Sequence, residues 1–439
     1  MKQFVAMILA LAMLLSVCGI ASAETQAQPY AGQTLKVSAF ANPFNAEAWV
    51  KICQAFEEAY GVTVELTTDA KIADVVLPQI VAGNYPDVYV HSSLGNNVFK
   101  SLAKEHRLVD LTELFEGTGI DDEAPLKDQI TTGVLESAFC NIYGDGRVYA
   151  ASYALKGKGL VYNKALLEKY GWELPTTWDA AMALGEKAKA EGIALFTYQG
   201  IYPSYVECIL FPTLASELGT ETVTKLGQHE EGIITSQGAL KVLGYYEEMA
   251  KKGYILEGTT GMDHTQSQTA FVQGKALLIP GGDWLPSEME SVEPCADFAW
   301  AMTAAFGIEE GQARYGTPSA TSVCIPSPAA NVELAKEFVR FLYTDFAVET
   351  FAQYQILGAT KDARELGSKY LTKTFLAMHE MDEQFGNYIF GWAPEVDGSR
   401  IVLADEVYNP LTDVVNGKMT AADWAQNIEN ALQGMNNGQ

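Results

Sequence analysis

The stretch "TLKVSAFA" at residues 34–41 alternates apolar and polar side chains, as a half-buried β-strand does. Apolar residues then recur at helical spacing over residues 46–60. "VTVEL" (62–66) is again strand-like, "KIADVVLPQIVAG" (71–83) is helical with a proline kink, and "PDVYV" (86–90) is a third strand. This strand–helix–strand–helix–strand order predicts an α/β fold with mostly parallel sheets.

The same alternation starts again in the second half of the chain. "RVYAASYALKGKGLVYN" (147–163) is strand-like, and Thr177 is placed to begin a helix over residues 178–190. Two further strands, "IALFTY" (193–198) and "ALLIPGG" (276–282), follow. Because 439 residues exceed what one hydrophobic core usually supports, we expect two lobes.

Charge narrows the range of partners. The chain has 55 acidic residues against 29 basic ones, a formal net charge of -26. Such a surface repels phosphate backbones, which argues against a nucleic-acid partner. An uncharged small ligand is compatible with it.

The N-terminus predicts export. Lys2 precedes an apolar run over residues 4–17, which has the length of a signal-peptide core. Cleavage after Ala23, giving a signal peptide of residues 1–23, is favoured over lipid attachment at Cys18, because the bulky Val17 precedes that cysteine. We therefore expect a secreted protein of the cell envelope, periplasm or cell surface.

Sequence motifs for catalysis and cofactors are missing. There is no phosphate-binding Gly-rich loop with Lys, no dinucleotide fingerprint and no zinc motif, and the cysteines left after Cys18 lack C-x-x-C spacing. The adjacent Tyr245 and Tyr246 suggest iron only weakly, since they fall within a helical pattern with one side chain expected inside and one at the surface. We predict no cofactor, no metal and no enzymatic activity. Paired carboxylates of a glycoside hydrolase remain an alternative.

Aromatic and amide side chains collect where predicted strands end, as in "FTYQGIYPSY" (196–205). Ligands of open α/β sheets lie beyond the carboxyl ends of the strands. Flat rings suit the C–H faces of a sugar, and polar side chains suit its hydroxyls. The candidate ligand-binding residues are Asn42, His91, Tyr153, Tyr198, Gln199, Tyr202, Asp283, Trp284 and Trp392.

Three segments resemble one family. "LVYNKALLEKYGWELPTTWDAAMAL" (160–184), "VAGNYPDVYV" (81–90) and "IPSPAANVELAKEFVRFLYTD" (325–345) are similar, in this order, to segments of extracellular solute-binding proteins of sugar ABC importers. The segment at 192–205 resembles the N-acetylglucosamine and chitobiose binders among them.

The resemblance implies a two-lobed periplasmic-binding-protein fold of type II, with hinge strands joining the lobes. Lobe 1 would hold residues 32–153 with 321–346 returning to it, and lobe 2 would hold 157–320 with 347–439. It also implies that Tyr202 and Trp284 stack on sugar. Asn42 and His91 fall at polar positions of the cleft, and Lys156 stands where some members carry an acidic hinge residue.

The expected function is that of a monomeric sugar receptor. It would close over a mono- or oligosaccharide and deliver it to an ABC permease that has a separate ATPase. Two alternatives stay open: an exported glycoside hydrolase, and a binder of a non-sugar solute, such as a polyamine or iron, in the same fold.

Overall fold

A computed structural model gives the structure of the protein and describes residues 29–41, 45–91, 97–137, 139–379, 385–388, 390–392 and 399–438. The strands are β1 (Thr34–Phe40), β2 (Thr63–Asp69), β3 (Val88–His91), β4 (Ala151–Lys156), β5 (Lys158–Asn163), β6 (Ala194–Phe196), β7 (Ala276–Gly282), β8 (Trp300–Thr303), β9 (Tyr315–Gly316), β10 (Ser319–Cys324), β11 (Leu357–Gly358) and β12 (Gly386–Asn387).

The helices surround these strands. They are α1 (Ala46–Tyr60), α2 (Ile72–Val81), α3 (Asn97–Lys104), α4 (Thr112–Glu116), α5 (Leu126–Gln129), α6 (Lys164–Tyr170), α7 (Trp178–Ala190), α8 (Glu207–Leu218), α9 (Thr220–Gly227), α10 (Gln237–Lys252), α11 (His264–Val272), α12 (Leu285–Glu288), α13 (Val332–Phe341), α14 (Asp345–Ala352), α15 (Ala363–Gly367), α16 (Lys373–Met378), α17 (Leu403–Tyr408), α18 (Pro410–Val415) and α19 (Ala421–Asn436). Single 3-10 turns cover Pro203–Val206 and Thr259–Gly261.

Two main sheets carry the architecture. The first has six strands in the order β11-β4-β10-β3-β1-β2, and the second has four in the order β6-β7-β5-β8. The paired β9 and β12 form a small third sheet. The predicted α/β class is confirmed by this arrangement of strands and helices.

The expectation of mostly parallel sheets is wrong, because both sheets are mixed. β1 runs parallel to β2 and β3, but β10 is antiparallel to β3 and β4, and β11 is antiparallel to β4. In the second sheet β6 is parallel to β7, whereas β5 is antiparallel to β7 and β8. For β5 and β10 the reason is the chain path. Each of these strands enters its sheet from the other sheet, so it starts at the junction and runs against the strands that end there.

That path brings many carboxyl ends of strands to one place. β4 leaves the first sheet at Lys156, and a single residue, Gly157, separates it from β5 of the second sheet. Lys158 at the start of β5 pairs with Gly282 at the end of β7, and Ser319 at the start of β10 pairs with Lys156. The ends of β1, β3, β4, β6, β7 and β8 therefore face the junction between the sheets.

Each main sheet has its own hydrophobic core. Trp49, Phe56 and Phe338 are buried with the first sheet, and Trp178 and Trp424 with the second. Separate cores are what a two-lobed chain of this length requires.

The return to the first sheet continues beyond the predicted limit at residue 346. Phe351 of α14 packs with Trp49 in the core of the first sheet, at 5.4 Å between ring centroids, and β11 pairs with β4. Residues 347–358 therefore lie with the first sheet, not with the second. The other predicted lobe limits stay predictions.

A local signal explains where α7 begins, whereas the residue before α13 has a different role. Thr177 accepts a hydrogen bond from the backbone N–H of Ala180, as an N-cap does, and α7 spans the predicted residues. Asn331 directly precedes α13, but its side chain donates to the Thr34 carbonyl and to Asp87 and makes no cap bond. It ties the return helix to the first sheet.

Candidate functional site

The floor of the junction is a buried hydrogen-bond cluster. The Gly157 N–H donates to Asp283 Oδ2 at 2.9 Å, and the Asp283 N–H donates to the Gly157 carbonyl at 3.0 Å. The same carboxylate oxygen lies 2.8 Å from His379 Nε2. Asp283 is 8% exposed and His379 1%. The residue that links the sheets is thus held by the end of β7 and by the segment after α16.

Two glycines make this close approach possible. A Cβ atom on Gly157 would lie 2.9 Å from Met302 Cε, and one on Gly282 would lie 2.5 Å from the Gly157 carbonyl oxygen. The Gly282 position would also place it 2.1 Å from the ring of Trp284. The indole of Trp284 therefore lies directly over the end of β7. Glycine at position 282 is what leaves room for it.

Trp284 is a partly exposed ring fixed at the junction. It packs at the edge of a buried cluster that contains Leu285, Phe271 and Met302. A ring held by apolar contacts at one side and open at the other is suited to stack on the apolar face of a ligand.

A second aromatic element follows β6. Tyr202 is 47% exposed and lies beside His264, at 5.7 Å between ring centroids. Tyr205, on the turn Pro203–Val206, lies close enough to Tyr202, Lys158 and Glu288 to interact with them electrostatically. Burial, followed by the negative charge of Glu288, raises the pKa of Tyr205 to about 12. Tyr205 thus connects the Tyr202 side of the junction with α12, which begins just after Trp284.

An ion pair crosses the start of β5. Lys158 Nζ lies 2.8 Å from Glu207 Oε1, and the Tyr408 hydroxyl donates to Glu207 Oε2 at 3.1 Å. Lys158 is well shielded from solvent, and Glu207 raises its pKa against the opposing effect of burial. The pair fixes the first turn of α8 to the hinge.

Lys156 is a charged group at the floor. Its Nζ lies 5.8 Å from the centroid of the Phe40 ring at the end of β1. Burial lowers the pKa of Lys156, and the nearby carboxylates of Asp283 and Glu288 oppose that effect. Glu288 in turn accepts a hydrogen bond from Gln268 Nε2 at 3.0 Å. The side chain thus faces groups from both sheets.

The predicted site residues divide by burial. Trp284 and Asp283 lie at the junction, where Trp284 is partly exposed and Asp283 is buried, and Tyr202 is exposed beside them. Tyr153, His91, Tyr198 and Gln199 are 3%, 2%, 0% and 0% exposed.

The buried members of the set have partners inside the protein. Tyr153 packs on Trp49 and Phe351, and His91 stacks on Phe99 at 4.0 Å between ring centroids. Gln199 Nε2 donates to the Pro280 carbonyl at 3.1 Å. These residues support the strand ends from within, and their roles in binding remain predictions.

The two remaining predicted residues are Trp392 and Asn42. Trp392 packs on Phe390 and on Phe211 of α8, at 5.0 and 5.7 Å between ring centroids, against the core of the second sheet, and its role in binding stays a prediction. Asn42 lies outside the described residues. Its assignment also stays a prediction.

The fold brings four side chains to the junction that are not among the predicted ligand-binding residues: Lys156, Lys158, Tyr205 and Glu288. Lys156 was named only as a hinge position. Tyr205 was within reach, because it stands in the aromatic stretch that marked the site. The positions of Lys158 and Glu288 depend on the register of β5 and on the turn after β7, which no local pattern reveals.

The iron alternative gains no support. Among the described residues, no group of three or more His, Cys, Asp or Glu side chains could hold a metal. Tyr245 and Tyr246 are both buried, at 5% and 1% exposed, so the expectation of one surface ring is wrong. Tyr245 donates to Asp179 at 2.8 Å, and both rings pack against Trp178.

Two α/β sheets joined by short crossings, with aromatic and polar groups at the junction, define a two-lobed solute-binding fold. The chain belongs to the bacterial extracellular solute-binding protein family, whose pattern matches residues 42–348. The family is one of extracellular binding proteins. Across the described residues no helix is long and apolar enough to cross a membrane.

Relatives and solved structures agree with this assignment. The chain is 26% identical over 341 residues to a diacetylchitobiose-binding protein of Streptomyces coelicolor, covering 76% of this chain and 70% of the relative. It is 23% identical over 326 residues to a multiple sugar-binding protein of Streptococcus mutans, covering 72% of each.

Among solved structures, a chitin oligosaccharide binding protein superimposes with a TM-score of 0.67 at 20% identity, covering 92% of this chain and 99% of that one. The apo form of RafE from Streptococcus pneumoniae gives a TM-score of 0.69 at 17% identity, covering 92% and 97%. These likenesses confirm the two-lobed α/β fold.

Proposed function

We propose that the protein is the substrate-binding component of an ABC sugar importer, and that its ligand is a sugar of the N-acetylglucosamine or chitobiose type. The observation that carries the proposal is the junction itself, where the Trp284 ring and the Tyr202 ring stand beside a floor of polar groups. The relative from Streptomyces coelicolor named for diacetylchitobiose supports this choice of sugar.

The proposed mechanism is capture without catalysis. A pyranose enters between the lobes, Trp284 covers one of its apolar faces, and Tyr202 and Tyr205 contact it from the side of β6. Closure about Gly157 then removes it from water, and the closed form docks on the permease, whose ATPase is a separate protein. Closure reports occupancy only if the ligand binds the closed form more tightly than the open form.

The remaining parts of the proposal concern location and assembly. Export follows from the signal segment, with cleavage after Ala23 preferred to a lipid anchor at Cys18. The protein acts as a monomer. Lobe 1 holds residues 32–153 and a return segment from 321, and lobe 2 holds the second sheet and the C-terminal helices.

A titration of intrinsic tryptophan fluorescence tests the proposal. The panel is N-acetylglucosamine, chitobiose as the N-acetylated disaccharide, maltose and xylobiose. We expect a saturable change with an N-acetylated sugar, because ligand would contact the Trp284 ring, and a weaker or absent response to maltose and xylobiose. Saturation by none of the four would contradict the sugar-receptor proposal.

A product assay separates the hydrolase alternative. Protein incubated with the same N-acetylated disaccharide should leave it intact over many times the period needed for binding equilibrium. Appearance of monosaccharide in proportion to protein concentration would instead show a glycosidase.

A further inference from the structure

The Lys156 ammonium lacks a protein acceptor in the described part of the chain. No hydrogen bond or ion pair joins it to a described residue, although it lies near Asp283 and Glu288. Asp283 Oδ2 is already engaged by the Gly157 N–H and by His379, and Glu288 accepts from Gln268. The Lys156 side chain is half-buried, so its ammonium can reach water in the ligand-free protein and can exchange that water for another acceptor. The ammonium is therefore available to an acceptor that a ligand supplies.

The backbone fixes where that acceptor must be. Lys156 ends β4, and the next residue is held in both directions by Asp283. The Trp284 ring lies against Gly282 and near the Gly157 carbonyl, so the ammonium and the indole stand beside the same crossing of the chain. A sugar stacked on Trp284 would present its ring-edge oxygens to Lys156.

The neighbouring charges limit the ligand. Lys156 and Lys158 are accompanied by Asp283, Glu288 and Glu207, and Lys158 is paired with Glu207. The Lys156 ammonium, which has no such partner among the described residues, thus faces the carboxylates of both Asp283 and Glu288. An added carboxylate on the ligand would meet more negative than positive charge, while an uncharged carbonyl or hydroxyl oxygen would accept a hydrogen bond at little electrostatic cost.

We propose that Lys156 is a specificity-determining residue, which donates a hydrogen bond to an uncharged oxygen of the bound sugar, and that the floor excludes acidic sugars. This inference rests on the proposed function and deepens it. It assigns a ligand role to a hinge position at which the family resemblance offered an acidic residue instead.

The test compares Lys156→Met with Lys275→Met. Methionine keeps much of the length and removes the ammonium. Lys275 is an exposed lysine just before β7, at the opposite end of that strand from Asp283, so the control loses the same charge far from the floor. Affinities for the best sugar of the panel are measured by calorimetry, and thermal unfolding of each ligand-free variant is recorded.

We expect Lys156→Met to weaken sugar binding roughly 10- to 100-fold, the loss typical of a hydrogen bond from a charged donor. Its ligand-free melting temperature should be unchanged, because the Lys156 ammonium makes no hydrogen bond or ion pair to a described residue that the substitution would remove. Lys275→Met should bind as the unaltered protein does. A merely structural lysine would instead lower the melting temperature and leave the ligand-induced rise intact.

Two results would overturn the inference while leaving the sugar receptor in place: unaltered affinity in Lys156→Met, or binding of a disaccharide of uronic acids as tight as that of the neutral sugar. If the unaltered protein binds no sugar of the panel, the proposed function fails, and this inference fails with it.

Discussion

At the scale of single residues, the site combines rings and charges that have different tasks. The Asp283 carboxylate accepts one hydrogen bond from the Gly157 N–H and lies against His379. It is 8% exposed, and its main role is to hold the crossing between the sheets. Trp284, the next residue, is partly exposed and presents a ring. Two neighbouring residues thus divide support and contact between them.

The indole of Trp284 should contribute a large part of the sugar affinity. Replacing Trp284 by Ala removes the ring that would cover the pyranose, and a central aromatic contact of this kind contributes about 2 kcal/mol or more, or about 30-fold in affinity. Calorimetric titration with the N-acetylated disaccharide measures the loss.

The matched control is Trp172→Ala. Trp172 stacks on Tyr170 at 4.4 Å between ring centroids, just after α6 and outside the set of junction residues. The Trp172→Ala variant should have a lower melting temperature but an unchanged affinity for the sugar. Equal affinity of Trp284→Ala and the unaltered protein would remove Trp284 from the site.

At the scale of elements, the backbone at the end of β7 is closely packed against neighbouring side chains and against the Gly157 carbonyl. The strand is buried along its whole length, and it pairs with β5 as far as Gly282, which lies opposite Lys158. The two glycines at positions 281 and 282 end it, and a Cβ on either would approach a side chain to less than 3 Å. Such close packing holds the Trp284 ring and the backbone beneath it in a single arrangement.

Gly282→Ala should disturb this element. The new Cβ would lie 2.1 Å from the Trp284 ring and 2.5 Å from the Gly157 carbonyl oxygen, and the backbone oxygen cannot move without shifting the hinge. We expect a lower melting temperature together with weakened sugar binding, the destabilisation being about 1–3 kcal/mol as in other overpacked sites. Thermal unfolding and calorimetry measure the two effects.

Gly244→Ala is the comparison. Gly244 lies inside α10, and a Cβ there would meet no heavy atom within 4 Å. Alanine favours a helix over glycine by up to about 1 kcal/mol, so this variant should melt at the same temperature or higher and keep its sugar affinity. A Gly282→Ala protein that behaves like Gly244→Ala would show that the floor tolerates movement.

At the scale of the whole molecule, the crossings between the sheets decide what can move. β4 and β5 are joined by one residue, the Thr317 N–H donates to the Lys158 carbonyl, and β9 pairs with β12 nearby. Short crossings that lie side by side allow rotation about one line while each core moves as a unit.

Ligand should therefore make the molecule more compact. Small-angle X-ray scattering with and without saturating sugar should show a smaller radius of gyration for the complex, because closure removes the cleft between the lobes. The melting temperature should also rise, since a ligand at 100 times its Kd stabilises the folded form by about 2.7 kcal/mol. Binding with an unchanged radius would contradict hinge closure and leave the sugar site itself intact.

Much of the fold could be predicted from local patterns. The first strands and helices, the start of α7 at Thr177 and the α/β class follow from periodicity and capping residues, which act over a few positions of the chain. The strand-end position of Trp284 also followed from pattern. The direction of β10 did not, because strand direction depends on which sheet the chain has just left.

The sequence by itself determined the class of fold, the acidic surface and the kind of side chain offered to a ligand. Only the tertiary structure decided which of these side chains are accessible: Tyr198 and Tyr153 became core, Tyr202 remained exposed, and Lys156 was brought beside Asp283. The physical reason is that burial and charge proximity depend on contacts between residues far apart in the chain. The periodicity of the sequence indicates helices and strands, but it does not indicate which distant residues come into contact.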